Sequence, residues 1–316
     1  MKNITVLLFV VFIFSISCKS KVIKSENKLA EKEINYIPYY LKVNQADSLR
    51  LIGNLTRANE IVDSLFQKYE PLNLSFYNEY YVYLGNKVLL KNFDKIDLVL
   101  KNSIEKYGLK VENCLQDSIF KIALEKTIFK EKDLNKFYDN YVNNLDLEYR
   151  FAIEKMIEND QMVRLTKPIN HNNWIKVDKE NAENIKSLIE KYGYPSLNKI
   201  GRKDFNDKSS HIDLLFLHAK KEELENYILD LMLEAVKKGE CEPGDYAVVY
   251  DKYLYSTGKY DGKVLYGELR HPNKPLEDVL INPSKIDSIR KSIGLESLNY
   301  KYWKYKKLTG NNLNEL

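Results

Sequence analysis

Apolar residues divide the chain into three stretches that differ in their spacing. Residues 4–16 are almost uninterruptedly apolar and follow a short start that carries Lys2. From about residue 40 to 147, apolar residues recur every three or four positions, which predicts amphipathic helices. The same spacing continues from about residue 148 to 300, where glycine or proline ends several of the apolar runs. The chain is therefore predicted to be mainly α-helical, with two folded parts.

The first folded part repeats itself. A shift of 38 residues places Ile61 on Val99, and a second shift places Val99 on Phe137. Recurrence at this length is typical of stacked helical hairpins, and the pattern resembles a degenerate tetratricopeptide array with a longer period. A plain helical bundle with chance register is the alternative. The register predicts three helix pairs, at 46–52 with 58–69, 77–90 with 95–107, and 118–129 with 134–145.

The second folded part, at 148–300, is predicted to be a compact α-rich domain with a small β-hairpin. The hairpin is expected at Asp261-Gly262, a strong turn signal between two short strand-like runs. Asp178 is the expected N-cap of a helix that runs to Tyr192. Residues 301–316, where aromatic side chains alternate with lysines, are expected to form a basic and aromatic tail. The remaining helices are predicted at 149–158, 207–219, 221–238, 245–255 and 284–293.

The apolar start indicates where the protein works. A charged start, a thirteen-residue apolar run and small residues before Cys18 form a secretory signal. The run is too short for a membrane-spanning helix, which needs ~20 apolar residues. The tripeptide before Cys18 resembles a bacterial lipobox, and the resemblance implies cleavage before this cysteine and its acylation, for example with palmitate. We therefore expect a signal peptide at 1–17, a lipoprotein anchor at Cys18, and a tether over 18–39.

The residues after the anchor favour one address in the bacterial cell envelope. Lys19-Ser20 lacks the aspartate that often retains lipoproteins in the inner membrane, which favours the outer membrane. Acidic residues that promote surface display are also missing from positions 19–22, which favours the side that faces the periplasm. The expected membrane contact is the lipid anchor, since no second long apolar run follows. Cys114 and Cys241 are expected to be separate thiols, although in an oxidising compartment they could pair.

Composition and motifs exclude several classes of function. Apolar residues make up 44% of the chain and charged residues 30%, as in ordinary globular proteins. The 49 basic and 45 acidic residues are scattered, so no nucleic-acid partner is predicted. No P-loop, glycine-rich dinucleotide turn, HExxH pair or nucleophile elbow occurs, and no cofactor is expected. Asp207, His211 and His218 would spread over some 16 Å of one helix at ~1.5 Å per residue, so no metal site is predicted there.

Short matches that follow one order across residues 148–300 carry a family resemblance. They include Asp160-Gln161-Met162-Val163-Arg164, Gly193-Tyr194-Pro195, His218-Ala219 and Tyr266-Gly267. Together they resemble a bacterial family known as domain of unknown function 6624, over about half of the chain. The resemblance implies a shared fold and a shared site, and it brings no activity with it.

Five polar residues of the second folded part are candidates for a functional site: Asp160, Gln161, Arg164, His218 and Tyr266. Asp160 and Arg164 are four residues apart, so they share a helix face and can form a surface ion pair. Alternatively they line a cleft, with Asp160 as base or ligand, Gln161 as donor and Arg164 as an anion clamp. His218 ends an apolar run and is either a core histidine or an acid–base group.

Two functions compete on these observations. The first is a protein- or peptide-binding module, in which the helical array offers a surface to a partner in the envelope. The alternative is a hydrolase-like enzyme, in which Asp160 or His218 moves a proton while Arg164 holds an anionic group. The sequence favours the binding module, because no motif specifies a reaction and the repeat is the plainer signal.

Overall fold

The structure is a computed structural model that describes residues 34–310, apart from 73, 75–78, 169, 203–204, 206–209, 211 and 270–274. The predicted signal peptide, Cys18 and most of the tether lie outside the described residues. The expectation of a mainly helical protein is confirmed: in the described part of the chain, regular structure is helical apart from one isolated β-bridge. No helix among these residues is long and apolar enough to cross a bilayer.

Seventeen α-helices make up the described chain. In order they are α1 (Ile37–Leu51), α2 (Leu55–Phe66), α3 (Glu79–Leu89), α4 (Ile96–Glu105), α5 (Val111–Gln116), α6 (Ser118–Lys126), α7 (Glu131–Asn143), α8 (Leu147–Leu165), α9 (His171–Tyr192), α10 (Leu197–Ile200), α11 (Ile212–His218), α12 (Lys221–Glu223), α13 (Leu229–Lys238), α14 (Pro243–Thr257), α15 (Leu276–Val279), α16 (Ile286–Ser292) and α17 (Leu298–Thr309). A π-helical turn, Leu224–Ile228, joins α12 to α13.

The first seven helices pack mainly on their neighbours in the chain. Helix α1 lies on α2, α2 on α3, α3 on α4 and α6, and α4 on α6 and α7. A helix is present at each of the six predicted places, but α1 begins at Ile37, before the predicted start at residue 46 and within the predicted tether. The short helix α5 was not predicted. Local capping explains two of the starts, since the side chains of Asn54 and Asp117 accept hydrogen bonds from the first turns of α2 and α6.

The second part differs from prediction at the start of α9. Asp178 does not cap this helix, which begins seven residues earlier at His171 and is capped by the side chain of Asn170. The first two turns of α9 are mostly polar and exposed, so they carry no apolar periodicity that would predict a helix. Asp178 therefore lies inside α9, where its carboxylate is free to reach a neighbouring helix.

The predicted β-hairpin is wrong. Residues Lys259–Gly262 form a 3-10 turn, with Tyr260 and Asp261 in the left-handed region at φ of 55° and 57°. Val264, expected to pair across the turn, instead forms an isolated parallel bridge with Leu280. The physical reason lies outside the local sequence: the carboxylate of Asp251 accepts the main-chain N–H groups that follow Val264, so they are not available to a hairpin.

One hydrophobic core runs through both parts of the described chain. The Tyr40 hydroxyl, from α1, donates to the carbonyls of Val236 and Cys241 at 3.0 and 3.1 Å.

Most of the predicted tail up to residue 309 belongs to α17, which packs on α1 and brings Lys304 to 2.5 Å from the buried Asp47 carboxylate. Cys241 is a free, buried thiol; the side chain of Cys114 lies outside the described set.

Helices α8 and α9 pack as an antiparallel hairpin and position the candidate site. Near the connection, the Trp174 indole N–H donates to the Val163 carbonyl at 2.6 Å. Further from it, Tyr149 stacks on Tyr192 with ring centroids 5.1 Å apart. Helix α11 packs against both helices of this hairpin, so its last residue, His218, reaches the groove between them.

Candidate functional site

Asp160 is the centre of the candidate site. It lies near the C-terminal end of α8 and is fully buried, with no exposed surface. A buried carboxylate is costly unless donors surround it. Three side chains supply those donors: Gln161 and Arg164 from the same helix, and His218 from α11.

His218 faces the carboxylate through one ring nitrogen. Its Nδ1 lies 2.9 Å from Asp160 Oδ1 and 3.0 Å from Oδ2. An ionised carboxylate only accepts hydrogen bonds, so Nδ1 carries the hydrogen and the neutral ring leaves Nε2 without one. Nε2 has no hydrogen-bond partner in the described part of the chain, and the side chain is 26% exposed. This nitrogen is therefore able to accept a proton.

Arg164 connects the two helices of the hairpin. Its Nη1 lies 2.8 Å from Asp160 Oδ1 and donates to the Asp160 carbonyl at 3.0 Å. Its Nη2 lies 2.7 Å from Oδ1 of Asp178 on α9. The guanidinium also lies over the Trp174 ring, 5.6 Å from its centroid. Both terminal nitrogens thus hold protein carboxylates, which gives Arg164 a positioning role rather than that of a free anion clamp.

Gln161 completes the surroundings of the central carboxylate. Its side-chain amide donates to Asp160 Oδ2 at 2.7 Å. Oδ1 therefore faces His218 and Arg164, and Oδ2 faces His218 and Gln161. With donors on both oxygens, the Asp160 carboxylate is fixed in orientation, and it fixes the histidine ring in turn.

Tyr266 does not join the other four candidates; its contacts lie in a separate aromatic cluster. Its ring packs on Tyr246 and Tyr250, with centroids 5.9 and 5.5 Å away. Burial raises the pKa of its hydroxyl to about 12. Its main-chain N–H donates to Asp251 at 2.9 Å, and its carbonyl accepts from Arg290 at 2.6 Å. These contacts hold the segment after α14, and in the described part of the chain none reaches Asp160.

Asp178 is the residue of this site that the sequence assigned to another role. An aspartate before an apolar periodic run is the usual signal of an N-cap, and that signal concealed its contact with Arg164. Asp178 lies one helical turn after Trp174, on the face of α9 toward α8. A polar residue in that position indicates a contact between the two helices. It could be recognised only once α9 was known to begin at His171.

Asp160, Asp178 and His218 each place one donor atom within 4.8 Å of the others. Such a set could hold a cation. However, the guanidinium of Arg164 already bridges the two carboxylates, and Nδ1 of His218 donates to Asp160 instead of offering a lone pair. A metal ion would have to displace the arginine and turn or deprotonate the ring. The geometry is therefore that of a hydrogen-bonded histidine–aspartate pair whose carboxylate is ion-paired with Arg164.

Comparisons of the chain with protein-family models, curated proteins and solved structures found no match. The resemblance to domain of unknown function 6624 therefore stays a prediction, and the function is argued from the geometry of the site.

Proposed function

We propose that Asp160 and His218 are the acid–base pair of a hydrolase-like enzyme, with Nε2 of His218 as the nitrogen that takes and returns the proton. The observation that carries the proposal is the contact of Nδ1 with both oxygens of a fully buried carboxylate, while the rest of the ring is partly exposed. A carboxylate that holds Nδ1–H fixes the tautomer and steadies the ring when it becomes charged.

The source and the destination of the transferred proton can both be named. In the described part of the chain no serine, threonine or cysteine side chain contacts His218, so water is the proposed nucleophile. Nε2 accepts a proton from water as the oxygen attacks the electrophilic atom of the substrate. The protonated ring then gives that proton to the leaving group.

The surrounding charges favour this cycle. Two carboxylates, Asp160 and Asp178, share one guanidinium, Arg164. With a neutral histidine ring the cluster carries one net negative charge, and it becomes neutral when the ring accepts a proton. The charged intermediate form of His218 is thus paired inside the protein at the moment it forms.

Turnover of a panel of carboxylic esters, phosphate esters and peptides tests the proposal. We expect His218→Gly to lower kcat by about 10²–10⁴-fold, and added imidazole to restore part of the activity. His171→Ala is the matched control, because this exposed histidine contacts Trp174 and none of the four converging residues. The proposal is wrong if the wild type turns over no substrate in the panel, or if His218→Gly matches it in kcat.

The proposed address is the bacterial cell envelope, with an acylated Cys18 as the anchor. Its support is the charged start, the apolar run and the small residues that precede this cysteine. We expect Cys18→Ser to abolish incorporation of labelled palmitate. Incorporation of the label into the variant would contradict the anchor.

A second candidate function, binding of an envelope protein or peptide by the first seven helices, is favoured by an exposed apolar pair. Asp97 accepts from the Ile128 main-chain N–H at 3.1 Å, which brings Ile128 beside α4 near Leu98. Both side chains are more than half exposed, and contiguous patches of exposed apolar residues mark interaction surfaces. This candidate includes the proposal that the helix pairs form a repeat array. Capture of the same partner by wild type and by the double variant Leu98→Glu, Ile128→Glu would contradict it.

A further inference from the structure

The connection between α8 and α9 ends in an exposed apolar tip. We use the name hairpin tip for residues 162–168 and 170–179. Met162 and Leu165, at the end of α8, are 55% and 75% exposed, and Ile175, in the first turns of α9, is 52% exposed. The hairpin itself is held by the hydrogen bond from Trp174 to the Val163 carbonyl. The core therefore does not explain why these three side chains are apolar.

The hairpin tip is also basic. It contains four basic residues and a single acidic one, Asp178, which is paired with Arg164. The other three, Lys167, Lys176 and Lys179, are exposed. Two of them lie 3.8 Å from glutamates one turn further along α9, on the side away from the tip. The chain as a whole has a net charge of +4, so this short segment is far more basic than the average.

Trp174 lies at the boundary between the apolar and polar parts of the hairpin tip. Its indole is half-buried, and its ring is edge-on to the exposed His171 at 4.9 Å between centroids. Tryptophan is enriched where one end of a side chain is apolar and the other is wet, as at membrane interfaces. This arrangement is typical of a segment that enters a lipid surface: apolar residues lie at its end, a tryptophan lies at the boundary, and lysines lie around it.

We propose that the hairpin tip inserts into an anionic lipid bilayer, with Met162, Leu165 and Ile175 among the acyl chains and the three lysines at the phosphates. A lipid surface fits better than a protein groove because the exposed apolar residues lie near the connected end of a hairpin and exposed lysines lie beside them in the chain. The contact is independent of the proposed acid–base chemistry. It would add a second attachment to the acyl anchor, as stable membrane binding of lipidated proteins usually requires.

The two tryptophans of the chain, Trp174 and Trp303, make a site-specific test possible even with the anchor in place. In full-length Trp303→Phe, all tryptophan fluorescence comes from Trp174. With vesicles of phosphatidylglycerol and brominated phosphatidylcholine, we expect a blue shift and a loss of more than half of this emission. In the matched Trp174→Phe variant, which reports Trp303 on α17, we expect no quenching.

A second pair of variants ties the signal to the tip. In the Trp303→Phe background, Leu165→Glu should abolish the quenching of Trp174, because it places a charge on the most exposed apolar residue of the tip. Ile52→Glu, a change at a comparably exposed apolar residue just after α1, should leave it unchanged. The proposal is overturned if vesicle-bound protein shows no quenching of Trp174, or if Leu165→Glu is quenched like its parent. Equal quenching by neutral phosphatidylcholine vesicles would refute the role of the lysines. None of these readouts depends on turnover, so they test membrane insertion independently of the enzyme proposal.

Discussion

Asp160 and Asp251 are both fully buried aspartates, yet their surroundings differ in kind. Asp251 accepts hydrogen bonds from four main-chain N–H groups of residues 265–269. Asp160 is held by side chains alone, from two helices, and one of those side chains is a partly exposed histidine. Main-chain donors cannot change their charge, whereas an imidazole can. Burial of a carboxylate therefore does not identify a reactive site; the chemistry of its partners does.

The Asp251 cluster serves to fix the segment after α14. Burial raises the pKa of Asp251, and the four main-chain donors oppose that effect. Arg290, also fully buried, binds the Tyr266 carbonyl and lies 2.9 Å from the Glu268 carboxylate. The Asp251 carboxylate and the Arg290 guanidinium thus hold the main chain of a segment that has no helix or sheet of its own.

The largest loss of stability is expected from Asp251→Ala. The change removes one acceptor from four buried N–H groups at once, so we expect the free energy of unfolding to fall by about 3–5 kcal/mol. Denaturation in urea measures this loss. A fall of less than about 1 kcal/mol would show that water replaces the carboxylate and that the segment is held by other contacts.

A third buried carboxylate, Glu79, predicts a dependence of stability on pH. It is fully buried, and in the described part of the chain two groups outside its own main chain donate to it, the Tyr39 hydroxyl at 2.7 Å and the Leu74 N–H at 2.5 Å. Burial raises its pKa from 4.5 to about 7. The unfolded chain releases this proton near pH 4.5 while the folded protein retains it, so the stabilisation is complete below pH 4.5 and is lost as the pH rises to about 7.

At 1.36 kcal/mol per pKa unit the loss amounts to about 3 kcal/mol. Urea denaturation of wild type and Glu79→Gln across this pH range measures it as a difference, because other titrating groups are common to both proteins. Parallel curves for the two proteins would show that the carboxyl group is already ionised in the folded state.

Asp160→Asn should cost less stability, about 1–3 kcal/mol, because the amide keeps the shape and one acceptor. Its main effect should be on the ring of His218, which loses the acceptor for Nδ1–H on one or both sides. The downfield NMR signal of a histidine Nδ1–H bound to a carboxylate should disappear. Asp178→Asn, which leaves the Asp160–His218 contact in place, is the control and should keep that signal.

The smallest effect is expected at the edge of the Asp251 cluster. Lys301 lies 2.5 Å from Glu268 but is partly exposed, and Glu268 keeps Arg290 as a partner. Lys301→Ala should lower the free energy of unfolding by less than about 1 kcal/mol, with a smaller difference in high salt. A loss as large as that of Asp251→Ala would mean that the lysine, rather than the carboxylate, holds the segment.

Local sequence signals predicted the helices well and the site only in part. The spacing of apolar residues predicted helices over most of residues 46–145, because these helices bury apolar residues at helical spacing. It also placed Asp160 and Arg164 on one face. It missed the polar start of α9, and with it the contact of Asp178, because an exposed polar helix has no apolar period.

The remaining errors have a non-local cause. Asp261-Gly262 is a good hairpin turn by its own sequence, but a carboxylate ten residues earlier takes the N–H groups that a hairpin would need. Tyr266 belongs to that same carboxylate's cluster rather than to Asp160's, and nothing in its neighbours along the chain distinguishes the two. His218 and Asp160 are 58 residues apart, and no spacing rule connects them.

The contacts along the α8–α9 hairpin join residues in a ladder: Tyr149 with Tyr192, Met156 with Asn181, Arg164 with Asp178, and Val163 with Trp174. Each of these contacts joins a residue of α8 to a residue of α9, and none involves the described connecting residues 166–168 and 170. Residues could thus be inserted or deleted in that connection without shifting any of these contacts between the two helices. The connection can vary in length, while the contacts between α8 and α9 keep Asp160 in position to hold His218.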